Sequence, residues 1–174
     1  MKKDTIIQKA IAMYKKQGYI DIAQLATTEG IALYAINGDK DFNAHIRYNT
    51  ETNTYEIETN ASHPTTRMRY SVAHELAHYI LEPERIKKVG TIKRHKADNP
   101  DDKQSERNAE QLASEILMPE PLIIEMAEAQ QISKDQVVGN DFIQQIAKSF
   151  QVSKQAAAIR LKQLGYNIIL SYIL

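Results

Sequence analysis

Apolar residues recur at helical intervals from the start of the chain. Ile6, Ile7, Ala10, Ile11 and Tyr14 share one face between residue 3 and about 17, and Gly18 stops the run. A second, shorter helix is predicted from Ile20 to Thr28, ending at Gly30. The pattern then changes period. Ile31–Ile36 is a short apolar run closed by Asn37-Gly38, and Ala44–Tyr48 and Tyr55–Thr59 alternate polar with apolar positions. The turn-rich Asn49-Thr50-Glu51-Thr52-Asn53 separates the last two, which predicts three strands with an antiparallel hairpin. Pro64 and the threonines after it suit a helix start, and Met68–Leu81 is strongly helical. Residues 83 to 105 are charge-rich, carry Pro83, Gly90 and Pro100, and read as a surface loop. A helix comes next, from about Gln104 to Leu117, broken by Met118-Pro119, and two or three more fill 120 to 165.

Composition narrows the possible functions. The chain has 174 residues, 43% apolar and 25% charged, as expected of one globular domain. Lysine plus arginine and aspartate plus glutamate both total 22, so no global charge draws it to nucleic acid or acidic lipid. It has no cysteine, which excludes disulfides, thiolate metal sites and cysteine nucleophiles. No stretch approaches the length of a membrane span; the longest apolar run is the tail from Ile168 to Leu174. Lys2-Lys3 could open a signal peptide, but Asp4, Gln8 and Lys9 keep an apolar segment from forming behind them. A cytoplasmic protein with an amphipathic first helix is expected.

The chemistry is carried by His74-Glu75-Leu76-Ala77-His78, of the form H-E-x-x-H. Residues four apart on a helix lie about 40° apart around the axis and one turn along it. Both imidazoles therefore project from one face and can share a zinc ion, with Glu75 beside them to take a proton from activated water. With 5 histidines in 174 residues the pentapeptide arises by chance about once in a hundred such chains, so the context matters. Met68, Val72, Leu76 and Ile80 form an apolar ridge at spacing four, and the histidines lie roughly 200° away from it. A helix patterned in this way is buried between a core and a site.

Catalytic zinc takes three protein ligands and keeps a fourth position open. The extended motif H-E-x-x-H-x-x-G-x-x-H is absent, because position 81 is leucine and position 84 glutamate. The helix near 104 to 117 offers Glu106 and Glu110, four apart on one side, with Ala109, Ala113 and Leu117 continuing the face. Either glutamate can serve from the pattern alone.

The segment Arg67-Met68-Arg69-Tyr70-Ser71-Val72-Ala73-His74-Glu75-Leu76-Ala77-His78-Tyr79-Ile80-Leu81 resembles the R-x-R-F-T-x-A-H-E-L-x-H-x-L-L signature of the ImmA/IrrE metallopeptidases. Glu106 to Pro119 is similar to that family's E-x-x-A-x-x-F-A-x-x-L-L-M-P segment, and Ile57-x-x-Asn60, Val152-Ser153, Arg160-Leu161 and Leu164-Gly165 also fit. The resemblance covers roughly residues 5 to 165 in order. It implies that His74, His78 and Glu106 hold one Zn2+ per chain and that Glu75 is the general base. Tyr70 for phenylalanine, Ser71 for threonine, Leu112 for phenylalanine and Asn108 for glutamate depart from the signature without removing a ligand. Members of the family are encoded in mobile elements or stress-response loci and cleave helix-turn-helix repressors. The partner implied here is therefore such a repressor. Histidine and carboxylate ligands accept manganese as well as zinc.

A peptidase of this kind also needs a donor for the oxyanion. His63, Tyr70, Tyr79 and His95 are candidates that sequence does not rank, although His95 in the basic loop Lys93–Lys96 reads better as a solvated residue. Arg67 and Arg69 suit salt bridges that anchor the helix, and His45 a structural place in a strand. Residues 141 to 164 read as helix, turn, helix, with Ser153 as N-cap. Lys154, Gln155, Arg160 and Lys162 could face DNA, but Ala156-Ala157-Ala158 and the modest basic count favour a hairpin packed on the core. The expected fold is α+β, a minimal gluzincin-like peptidase with a small antiparallel sheet packed on the two site helices. Residues 1 to 119 would form the peptidase core and 120 to 174 a helical region packed on it, within two domains or one. The alternative is a regulator that binds a repressor or DNA through its C-terminal helices without hydrolysis.

Overall fold

The computed structural model describes residues 2–39, 41–93 and 100–168. In chain order the elements are α1 (Lys2–Gln17), α2 (Ile22–Thr28), β1 (Ile31–Ile36), β2 (Ala44–Asn49), β3 (Thr54–Asn60), α3 (Thr65–Leu81), α4 (Pro83–Val89), β4 (Thr91–Lys93), α5 (Pro100–Leu117), α6 (Glu120–Glu128), α7 (Asn140–Phe150) and α8 (Lys154–Gln163). The architecture is α+β, as the patterning predicts. No described helix is long and apolar enough to cross a membrane.

The sheet departs from the expectation in parallelism and in size. It has 4 strands in the order β1-β3-β2-β4, and β1 runs parallel to β3, so it is mixed rather than antiparallel. The β2–β3 hairpin forms as predicted, with Ile46 opposite Ile57. β1 and β2 are not neighbours, because β3 inserts between them. The connection from 37 to 43 must therefore span two strand spacings, about 10 Å. Asn60, fully buried at the end of β3, holds that arch from below. Its Nδ2 donates to the carbonyls of Asp39 and Phe42 at 2.9 Å each and of Gly38 at 3.3 Å, while its Oδ1 accepts from Ser62. Alternation of apolar residues reports which face of a strand is buried, not which neighbour it chooses or in which direction.

The stretch read as a surface loop from 83 also acquires structure. Pro83 opens α4, Ile86 is fully buried, and Gly90, at φ 78°, ends the helix so that Thr91–Lys93 can join β2. One buried isoleucine among charges is too weak a pattern to announce a helix. His95 lies outside the described residues, as does most of the apolar tail. Helix α5 begins at Pro100, one turn earlier than predicted, with Asp101 and Asp102 in its first turn.

The apolar face of the sheet, with Ile46 and Ile57 buried, packs against α3. Helix α3 is covered on all sides through its middle, with every residue from Ser71 to His78 buried. Ala73 and Ala77 of α3 and Ala109 and Ala113 of α5 are all fully buried, and these small side chains let the two helices lie close together. One hydrophobic cluster continues past Pro119 into Leu122, Phe142, Ile146 and Leu161. Arg67 and Arg69 do anchor α3, and among the described residues their hydrogen bonds go to neutral oxygens. Arg67 donates to Asn43 Oδ1 at 2.9 Å, and Arg69 to the Ile20 carbonyl at 2.9 Å and the Phe150 carbonyl at 3.4 Å. On the outer face of the sheet, His45 contacts Glu58 at 3.3 Å.

Candidate metal centre

The four-residue spacing on α3 and the close packing of α5 bring three donors to one point. His74 and His78, 0% and 1% exposed, turn their Nε2 atoms toward each other at 3.1 Å. Glu106 faces both, with one carboxylate oxygen 3.2 Å from His74 Nε2 and the other 3.4 Å from His78 Nε2. All three ligand atoms lie within 4.8 Å of one another, the kind of group that can hold a metal ion. Two imidazoles and one carboxylate converging in this way fit a divalent cation that keeps one further position for substrate. Glu110, one turn along α5, lies outside this trio and lines the neighbouring cavity instead. Glu75 sits within the same turn of α3 and is 1% exposed.

Electrostatics bind the cluster together even without a cation. Burial alone would lower the pKa of His78, but hydrogen bonds to Glu106 and Glu82, with Glu75 nearby, raise it to about 9. Burial pushes the Glu106 carboxyl up, and its hydrogen bonds with His74 and His78 outweigh this and hold it well below the usual carboxylate range. Glu82 behaves similarly. Burial opposes its ionisation, but His78, Ser105 and Arg85 bring its pKa down to about 2.

Sequence reasoning missed Glu82, Ser105 and Arg85. His78 Nδ1 lies 2.5 Å from Glu82 Oε1, and that carboxylate is in turn bound by Ser105 and Arg85. A signal was present, since Glu82 comes four residues after His78, the interval at which side chains on successive turns meet. It was hidden in a stretch where every second or third residue is charged.

The remaining candidates separate by position. The Tyr70 ring stacks beside His74 at a centroid distance of 6.5 Å. Tyr79 points away, packing on Tyr55 at 4.8 Å with its hydroxyl toward the Glu29 carbonyl at 3.4 Å. His63 lies before the start of α3, whose first residue, Thr65, is about 13.5 Å along the axis from His74 at 1.5 Å per residue.

Next to the trio is a cavity of about 720 Å³. Arg67 and Tyr70 of α3 and Arg107 and Glu110 of α5 form one wall, and Ala156 and Ile159 of α8 stand opposite. Arg160 of α8 faces inward, 5% exposed, and donates from Nε to the Met118 carbonyl at 3.1 Å. It is therefore withdrawn from the DNA-facing set suggested by residue type, and Gln155 turns to the cavity. Ser153 caps α8 as predicted, accepting from the Ala156 amide at 3.1 Å.

No curated protein matches the chain. A family model does: residues 26–162 match peptidase family M78, the IrrE N-terminal-like domain, and the chain belongs to that family of metallopeptidases, which are hydrolases.

Proposed function

We propose that the chain is a zinc-dependent endopeptidase that cuts a protein substrate, and that this substrate is a helix-turn-helix transcriptional repressor. The observation that carries the hydrolytic reading is the convergence of His74, His78 and Glu106 beside a buried Glu75. A zinc ion held by those three residues would supply Lewis acidity, polarising the scissile carbonyl and making hydroxide accessible at neutral pH. Glu75 accepts a proton from the attacking water as the new C–O bond forms, then delivers it to the departing amine nitrogen as the C–N bond breaks. Among the candidates in the described residues, Tyr70, whose ring lies beside His74 and lines the cavity, is the one proposed to meet the oxyanion.

The cavity bordered by α3, α5 and α8, where Arg67, Arg107, Glu110 and Gln155 stand together with Val152 and Ile159, is the proposed place for the polypeptide. The repressor itself rests on the resemblance of the two signature segments, and a cytoplasmic site of action goes with that proposal. The test is incubation with repressors encoded beside the protein, using wild type and Glu75→Gln. Wild type is expected to yield two fragments, and Glu75→Gln to retain about one zinc per chain and cut nothing. A Glu75→Gln protein that still cuts refutes the mechanism, and a repressor released from its operator uncut supports the regulator reading instead.

A further inference from the structure

His78 is held from both edges of its ring. Nε2 faces His74 and Glu106, while Nδ1 meets Glu82 Oε1 at 2.5 Å. The second contact depends on where α3 ends. Pro83 disfavours helical backbone at the residue before it, and Glu82 leaves the helix at φ −142°, ψ 48° with its carboxylate beneath the ring one turn back.

That carboxylate has two more partners. Ser105 Oγ donates to Oε1 at 2.5 Å, and Arg85 Nη1 donates to Oε2 at 2.9 Å. Arg85 also reaches Ser105 Oγ at 3.1 Å and binds Asp102. Ser105 and Asp102 belong to α5, and Ser105 directly precedes Glu106. The network therefore links the imidazole of one donor to the helix that carries another.

A carboxylate on Nδ1 keeps the ring proton there, leaves the Nε2 lone pair for a cation and makes it more basic. We propose that Glu82 is a positioning residue of the metal centre: it sets the tautomer and orientation of His78 and, through Ser105 and Arg85, the placement of the Glu106 helix. The inference rests on the metal-site reading and adds to it a residue outside the donor trio.

The test measures zinc affinity by competition with a chromophoric chelator for wild type, Glu82→Gln, Ser105→Ala and His78→Ala. Glu82→Gln should weaken binding roughly 10–100-fold, Ser105→Ala by less, and His78→Ala by more than either. In the zinc-loaded wild type, long-range proton–nitrogen spectra should show His78 protonated at Nδ1 with a downfield proton resonance, which Ser105→Ala shifts and Glu82→Gln moves upfield. If Glu82→Gln and Ser105→Ala bind zinc as wild type does while His78→Ala has lost it, the inference falls and the metal site stands. If His78→Ala also binds as wild type does, the metal-site reading itself falls.

Discussion

His78 and Glu82 titrate in opposite senses, which gives the chelator-stripped protein a defined pH window. The folded pKa of His78, about 9, lies above its ordinary 6.5, so its contribution is complete below about 6.5 and is lost as pH rises through 9. For Glu82 the folded pKa of about 2 lies below 4.5, so its contribution is complete above 4.5 and is lost as pH falls toward 2. The stripped protein should therefore be most stable between about pH 4.5 and 6.5, and should lose on the order of 2 kcal/mol of the His78 contribution by pH 10. Urea midpoints across that range check this, with a His78→Gln variant expected to lack the alkaline part. At this scale His74, Glu75 and His78 were legible because one helix fixes their geometry. Glu106 and Glu110 were not separable from spacing. Which of them faces α3 depends on how two helices pack, and only the resemblance distinguished them.

Between elements, α3 and α5 carry four fully buried alanines, Ala73, Ala77, Ala109 and Ala113, and Leu112 of α5 is 2% exposed. Leu112→Ala should cost about 2–5 kcal/mol by chemical denaturation, because truncating a buried leucine leaves a cavity that the surroundings fill only in part. Loss of the cap in Ser153→Ala should cost about 1 kcal/mol by the same measurement and leave zinc content unchanged. Most elements were legible from periodicity and stop signals: β1 falls on the predicted residues, and α7 and α8 fall within a residue or so of the predicted bounds. Strand order was not. A parallel β1–β3 pair and its antiparallel alternative share the same alternation, and the hydrogen bonds of Asn60 to the connection after β1 join residues that no local pattern pairs. Nor was α4, whose single buried contact at Ile86 is invisible without the sheet it packs on.

At the scale of the molecule, the cavity pairs helices far apart in the chain, with α3 and α5 on one side and α8 on the other. Nothing in the local pattern of α8 announces that neighbour, although the burial of Arg160 is explained by its place against Met118. Filling the cavity should separate substrate capture from chemistry. With a cleaved substrate in hand, Ala156→Trp is expected to raise KM by at least about tenfold while kcat and zinc content stay near wild type. A fall in kcat alone would place the substrate elsewhere.

The hairpin of α7 and α8 is entered and left at one place. The chain passes Val137 on the way in and Asn167 on the way out, and the two are joined by a parallel bridge with the Val138 amide on the Asn167 carbonyl at 2.9 Å. A segment whose two ends meet can be exchanged, lengthened or shortened without dragging on the rest of the chain, provided its replacement still supplies the apolar positions of Phe142, Ile146 and Phe150. The far wall of the cavity is thus built from a stretch of chain that is anchored at one point, whereas α3 and α5, which carry His74, His78 and Glu106, belong to the part that precedes it.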